Sequence, residues 1–376
     1  MPDSVVTDTR PSPPSGAQTR THRPATAPPA RILSPGNIVT VIVLAVLIVL
    51  PLTSKSFFVF QMNQMLVYAI AVLGLNILTG INGQFSLGHS AFYAIGAYSC
   101  AILVEMVGVN YMATLPLAAV ICFIAGFLFG FPALRLEGLY LALATFALAV
   151  ATPQILKLSV IEHYTGGVQG IIMFTDTFEA PVPFGLPMES STWVYYFTLA
   201  VFVLVYILAI ALIRSRTGRA MMAIRDNPIA ARSMGVNLSY YKATAFGISA
   251  MVTGIAGALS AIVIKFVAPD SFTFFLAVLI LVGMVIGGVG WLPGCIIGGL
   301  AMLYLPNIAE QLDDVILLFA RPLGLADALP GNLQNSAIRL SGVIYGFILI
   351  LLIYLAPQGA GGLIRAVVSR LKWLKS

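Results

Sequence analysis

Apolar runs of about twenty residues follow one another almost without a break from residue 38 to residue 356. The spans lie at roughly 38–54, 60–80, 89–107, 112–131, 138–158, 193–213, 243–265, 273–290, 292–309 and 339–356. Each comes near the ~20 residues a helix needs to cross ~30 Å of hydrocarbon. The sequence is 59% hydrophobic and 9% charged, where soluble domains carry about 25% charged residues. Water cannot host that much apolar surface on one chain, whereas lipid can. The expected fold class is therefore all-α: a polytopic integral membrane protein with about ten transmembrane helices and both termini cytoplasmic. The pair at 273–309 is interrupted by Gly287, Gly288, Gly290, Pro293 and Gly294, so a re-entrant segment is open there.

Orientation follows from the positive charges, which membrane proteins hold on the cytoplasmic side. An even number of crossings puts Arg10, Arg20, Arg23, Arg31, Arg135, Arg214, Arg216, Arg219, Arg225, Arg232, Lys242, Arg365, Arg370, Lys372 and Lys375 on the side of the termini. The other side receives Lys55, Lys157, Lys265, Arg321 and Arg339. The net charge of +6 is thus read as topology, not as a nucleic-acid surface. Residues 1–36, rich in Pro, Ser, Thr and Ala, read as a disordered cytoplasmic tail, and no secretory signal opens them. Residues 37–358 form the transmembrane domain, with an external loop at 159–191 and a cytoplasmic loop at 214–242, and residues 359–376 form a basic cytoplasmic tail.

Reactive chemistry is scarce. No phosphate-binding Gly-x-x-x-x-Gly-Lys-Ser/Thr occurs, so ATP hydrolysis would fall to another chain. The three histidines, His22, His89 and His163, have no metal-ligand spacing, and His89 lacks the acidic orienter a catalytic triad needs. No catalytic residue, metal or bound cofactor is expected. Cys100, Cys122 and Cys295 read as small buried hydrophobes. Ion-coupled carriers place ionisable groups in mid-membrane, and none of the fourteen acidic residues falls there. The carrier class stays open, since backbone carbonyls can hold sodium.

Two segments carry the functional signal. Asn76, Thr79, Asn82, Gln84, Ser86, His89 and Ser90 cluster among Gly74, Gly80, Gly83 and Gly88 inside the apolar region. Polar groups there must find partners or water. They read either as interhelical hydrogen bonds or as a broken helix lining a translocation path, with Asn76, Thr79, Asn82, Gln84, Ser86 and His89 as the candidates. The glycines from Gly287 to Gly299 are a candidate counterpart in the other half of the chain. In the cytoplasmic loop, Arg225 and Asp226 close a short amphipathic stretch. Asn227 suits an N-cap and Pro228 the first helical position. Ile229 to Met234 allow two turns, and Gly235 fits the left-handed position after them. Ala230, Ala231 and Gly235 are small enough for another backbone to come close. By itself such a loop could also only fix topology or bind anionic lipid.

That loop resembles the coupling loop of ABC importer permeases, whose pattern is Glu-Ala-Ala, three residues, Gly. Ala230, Ala231 and Gly235 match it, and Ile229 stands in the acidic position. With Ala223-Ile224-Arg225-Asp226-Asn227-Pro228 ahead of it, the loop is similar to branched-chain amino-acid permeases of the LivM type. So are Gly74 to Gly80, Gly83 to His89, Phe131 to Leu136, Gly138 to Ala142, Thr165-Gly166-Gly167, Gly287 to Gly290 and Pro357-Gln358-Gly359. The resemblance covers about residues 60–365; residues 313–337 look longer than the family's usual connection and have no reading. It implies a bacterial inner-membrane permease for branched-chain or hydrophobic amino acids, with urea or short amides as the alternative solutes. Its implied partners are a second permease subunit, cytoplasmic ATPase subunits that use the ATP, and a periplasmic solute-binding protein, all around the lipid bilayer. It also implies that Arg225, Asp226, Asn227, Pro228, Ala230, Ala231 and Gly235 couple to the ATPase.

Overall fold

The computed structural model describes residues 55–133, 138–174 and 189–320, with positions 47, 48, 50, 51, 136, 346, 347, 350, 354, 359, 361 and 362. The chain divides into two units, residues 1–49 and 50–376; of the first, Leu47 and Ile48 are described, both helical. The two tails, and the spans expected at 38–54 and 339–356, lie outside the described residues apart from those positions, as do 175–188 and 321–337. The rest concerns the second unit.

Its helices are α1 (Ser56–Leu75), which continues into a π-helical turn at Asn76–Ile81, α2 (His89–Glu105), α3 (Tyr111–Ala133) and α4 (Leu139–Leu156). A single turn, α5 (Glu162–Thr165), precedes α6 (Ser190–Arg214), α7 (Arg216–Asp226) and α8 (Pro228–Ser233). Then come α9 (Leu238–Ile264), a 3-10 turn at Pro269–Phe272, α10 (Phe274–Gly287) and α11 (Gly294–Ala320). Ser56–Ile81, Tyr111–Pro132, Leu139–Leu156, Ser190–Arg214 and Leu238–Ile264 are long and apolar enough to cross a bilayer, and Phe274–Gly287 and Gly294–Ala309 are shorter apolar helices.

The structure corrects the expected pattern in three places. Strands β1 (Ile171–Ile172) and β2 (Phe266–Val267) pair antiparallel, a small departure from an all-α chain. α9 begins at Leu238 rather than near 243 because Asn237 caps it, its Oδ1 accepting from the Tyr240 N–H at 3.1 Å. The segment 273–309 forms two helices joined by residues 288–293, and the second runs on to Ala320, so Asp313 and Asp314 fall within a helix.

α9 is the core helix, packed along α1, α2 and α3. Lipid is as apolar as leucine, so helices there associate by close van der Waals contact, which small residues permit. Gly96 of α2 meets the backbone of Gly254, Gly257 meets the Tyr93 carbonyl, and Gly126 of α3 meets Ala250. Toward one end, Phe92, Phe129 and Phe246 pack at centroid distances of 6.4, 6.0 and 5.6 Å. They share a cluster with Leu78, Ile81, Leu141 and Met221.

The two ends of the bundle differ. The connection 82–88, the turn 288–293 and α7 gather at one, where Arg225 touches Gly80 and Gly83 and reaches toward Gly290. At the other, Lys157 pairs with Asp270, Glu105 accepts from the Phe174 N–H at 2.8 Å, and β1 meets β2. Arg214, Arg216, Arg219, Arg225, Arg232 and Lys242 lie on elements of the first end, hereafter the basic end. Lys157 and Lys265 lie on elements of the opposite end.

Candidate functional site

The basic end is built around two short helices. α7 starts on Ser215, whose Oγ accepts from the Gly218 N–H at 3.2 Å. Its Gly218, Met221 and Ile224 recur at helical spacing and are buried, so this face is locked under the bundle. α8 starts on Asn227, whose Oδ1 accepts from Ile229 N–H at 3.1 Å and Ala230 N–H at 3.0 Å, with Pro228 in the first turn. Its end is a Schellman motif: Gly235 N–H bonds Arg232 O and Val236 N–H bonds Ala231 O, both at 3.0 Å, with Gly235 at φ +82°. Only Ala231 of α8 is buried. Ile229 and the adjoining Met234 are 82% and 86% exposed, two apolar side chains held outward on a short helix capped at both ends.

Arg225 ties this surface to the bundle. Its Nη1 donates to the Gly80 carbonyl at 2.8 Å, while Nε and Nη2 both donate to Asp226 Oδ1 at 3.0 and 2.9 Å. An exposed ion pair of this kind contributes little stability, but it fixes the guanidinium plane. Gly80 in turn faces Gly290, where a Cβ would come within 2.8 Å of the Gly290 Cα. Asn76 spans the same contact: its Oδ1 accepts from the Gly290 N–H at 2.7 Å and its Nδ2 donates to the Trp291 carbonyl at 3.2 Å. Both glycine-rich breaks therefore meet in one joint. It lies where α1 has widened into a π turn, a feature frequent at functional sites.

The remaining cluster lies beside this joint. Thr79 Oγ1 donates to Gln84 O at 3.0 Å, and Gln84 Nε2 donates to the Lys242 carbonyl at 3.1 Å. Thr145 Oγ1 of α4 accepts from the Leu87 N–H at 2.9 Å. Ser249 Oγ donates to the Gly74 carbonyl at 2.6 Å and lies 2.7 Å from His89 Nε2. His89 Nδ1 lies 3.1 Å from Ser86 Oγ. One polarity satisfies the chain: Ser86 donates to Nδ1, and a neutral His89 donates from Nε2 to Ser249. The network thus joins α2, α9 and α1. Asn82 is buried with both side-chain polar atoms unpartnered.

All six residues named for a path thus come together at the basic end, and every one but Asn82 bonds a neighbouring segment. Of the seven residues named for coupling, which lie beside them on α7, α8 and the turn after it, Ala231 is buried and the other six are exposed. Sequence reasoning missed Ser249, Thr145 and Trp291 as partners, and it passed over the amides Asn63 and Gln64 in α1, both buried. Two adjacent amides in an apolar run were a readable signal. The carbonyl and N–H groups that receive Asn76 leave no trace in residue type. Among the described residues, no group of three His, Cys, Asp or Glu side chains could hold a metal.

A profile for the family described as "Branched-chain amino acid transport system / permease component" matches residues 57–353. The high-affinity branched-chain amino acid transport system permease protein LivM of Salmonella typhimurium is 34% identical over 293 residues, covering 69% of this chain and 68% of the relative. LivM of Escherichia coli is 34% identical over 291 residues, with the same coverage of 69% and 68%. The permease protein BraD of Pseudomonas aeruginosa is 23% identical, covering 62% of this chain and 79% of the relative. No solved structure matches.

Proposed function

We propose, for a chain that belongs to the branched-chain amino acid transport permease family, that it is one permease subunit of an ATP-driven importer of branched-chain amino acids. It is a multi-pass membrane protein. We infer about ten crossings of a bacterial inner membrane with both termini in the cytoplasm, the basic end facing inward. A second permease completes the pore, a periplasmic binding protein delivers the solute, and separate ATPase subunits bind and hydrolyse ATP.

The observation that most supports this reading is the pairing of α8 with α7. Ile229 and Met234 stand free for a partner, while Arg225, at the junction of the two helices, grips Gly80. A flexible loop would dissipate the push of a closing ATPase dimer, and a capped helix anchored through Met221 and Ile224 passes it on. Asp226 orients Arg225, Asn227 and Pro228 start the docking helix, Ala230 and Ala231 allow close approach, and Gly235 ends it.

Two outcomes test the docking surface. Replacing Ile229→Asp together with Met234→Asp should lower ATPase co-purification about tenfold or more, since apolar anchors carry much of an interface, with the chain's membrane content unchanged. Gly235→Val forces a β-branched residue to φ +82°, at about 1–2 kcal/mol for the left-handed region. It should unwind the end of α8 and weaken co-purification without impairing insertion. Normal ATPase recovery in both variants would place docking elsewhere. In reconstituted vesicles, uptake that ignores vanadate and collapses with the proton gradient would mark an ion-coupled carrier instead.

A further inference from the structure

The two faces of α6 differ. Phe202, Val205 and Ala209 are buried, and the helix packs along α1. Leu204, Ile207 and Leu208 are 57%, 56% and 55% exposed, and Ala211 is exposed too; these four positions recur at helical spacing on one face. The strip runs into Arg214, the last residue of α6, which is exposed as well. From Leu204 to Arg214 a helix rises ~15 Å, half of the ~30 Å hydrocarbon core. The strip is as long as one leaflet is deep.

Beyond Arg214 the chain turns through a locked corner. Ser215 Oγ donates to the Leu212 carbonyl at 2.6 Å and accepts from the Gly218 N–H at 3.2 Å. Gly218 lies so close to the end of α6 that a Cβ there would come within 2.6 Å of the Ile213 Cα. Arg219 Nη1 donates to the Arg214 carbonyl at 2.9 Å. Arg216 and Arg219 are exposed, like Arg214, so three arginines share this corner. Among the described residues no carboxylate pairs with any of them, and Asp226, at the far end of α7, is taken by Arg225. Like charges held together repel, and a bound anion relieves them.

We propose that Arg214, Arg216 and Arg219 bind the phosphate of an anionic phospholipid in the leaflet at the basic end, with its acyl chains along Leu204, Ile207, Leu208 and Ala211. The site goes beyond the importer reading and requires only that the chain spans a bilayer. Guanidinium groups take phosphate oxygens through paired hydrogen bonds, and basic residues beside a membrane-crossing helix draw anionic head groups. A soluble anion leaves the apolar strip unused. A partner outside the membrane reaches the arginines but not the strip, which lies at hydrocarbon depth.

The test uses the full complex, with partner permease and ATPases, in phosphatidylcholine vesicles. These carry a trace of phosphatidylglycerol or of phosphatidylcholine with a photoactivatable diazirine on the acyl chain. Peptide mass spectrometry reads the labelling of residues 200–214 on α6. Phosphatidylglycerol should label this strip about fivefold or more over phosphatidylcholine, and replacing Arg214→Gln, Arg216→Gln and Arg219→Gln together should bring that ratio to about one. Arg219→Gln alone should lower the ratio about threefold or more, while Arg232→Gln, which removes the same charge from α8, should leave it within about twofold. Excess inorganic phosphate should not displace the label. Equal labelling by the two lipids overturns the site, and so do equal losses in Arg219→Gln and Arg232→Gln, which would show surface charge alone. Displacement by phosphate would show a free-anion site in place of a lipid site. A strip labelled by neither lipid would show that a partner subunit covers it, which also overturns the proposal.

Discussion

Gly96→Leu and Gly257→Leu will each reduce folded chain in membranes about tenfold or more, because a bulky group is forced between close-packed backbones. At Gly96 the obstacle is the Gly254 carbonyl, and at Gly257 it is the Tyr93 carbonyl. Neither is a side chain that can rotate away. Gly254 is itself pinned from its other side, where a Cβ would come within 2.5 Å of the Cys122 Cβ. α2, α9 and α3 are therefore wedged together, and no single helix can retreat alone. Gly108→Ala is the control. It also changes a glycine, at φ +70°, but nothing lies within 4 Å of its Cβ position, so its cost is local strain of about 1–2 kcal/mol. Detergent-extracted chain measured by size-exclusion fluorescence checks the contrast. Equal recovery of Gly96→Leu and Gly108→Ala would mean that α2 and α9 do not cross this closely.

These crossings show which parts of the molecule sequence could reveal. The helices were legible because each apolar run is a helix length, and nothing shorter satisfies its backbone in lipid. Helix α8 was legible for a different reason. Asn227, Pro228 and Gly235 act on groups within a few residues of themselves, so cap chemistry is written locally. The start of α9 escaped because its first turn, Leu238 to Lys242, lies outside the apolar run, although Asn237 carries the cap. The end of α11 escaped likewise, since Glu310, Asp313 and Asp314 lie beyond the apolar run that ends near 309, yet they belong to a helix. The joint could not be read at all. Asn76 stands out as a polar residue in an apolar stretch, but its partners are backbone groups of Gly290 and Trp291. Any residue type offers those. Sequence could name Asn76 as interesting and could not say what it holds.

What it holds sets the second large effect: Asn76→Ala and Arg225→Gln will each leave the complex assembled and the ATPase active while lowering uptake about tenfold or more, as expected when residues act as one unit. In the proposed coupling, the linkage is the set of bonds from Arg225, beside α8, to the Gly80 carbonyl, and from the π turn through Asn76 to Gly290 and Trp291. Removing the Asn76 amide leaves the Gly290 N–H, on an exposed residue, without this acceptor, a loss of about 0.5–1.5 kcal/mol. The bundle survives that, because α9 and its glycine crossings are untouched. Removing the Arg225 guanidinium leaves Asp226 unpaired at the surface, where ion pairs are worth little, but it frees α7 from Gly80. Arg225→Lys should recover only part of the uptake, since an ammonium cannot bond Gly80 and Asp226 in one fixed plane. The decisive measurement is the double variant. If both residues serve one linkage, Asn76→Ala with Arg225→Gln will transport no worse than the poorer single variant, because breaking a chain twice adds nothing. Losses that multiply would show two independent contributions. Wild-type uptake per ATP in both single variants would show that the push from the ATPase enters the bundle by another route, through the buried Met221 and Ile224 face of α7 alone.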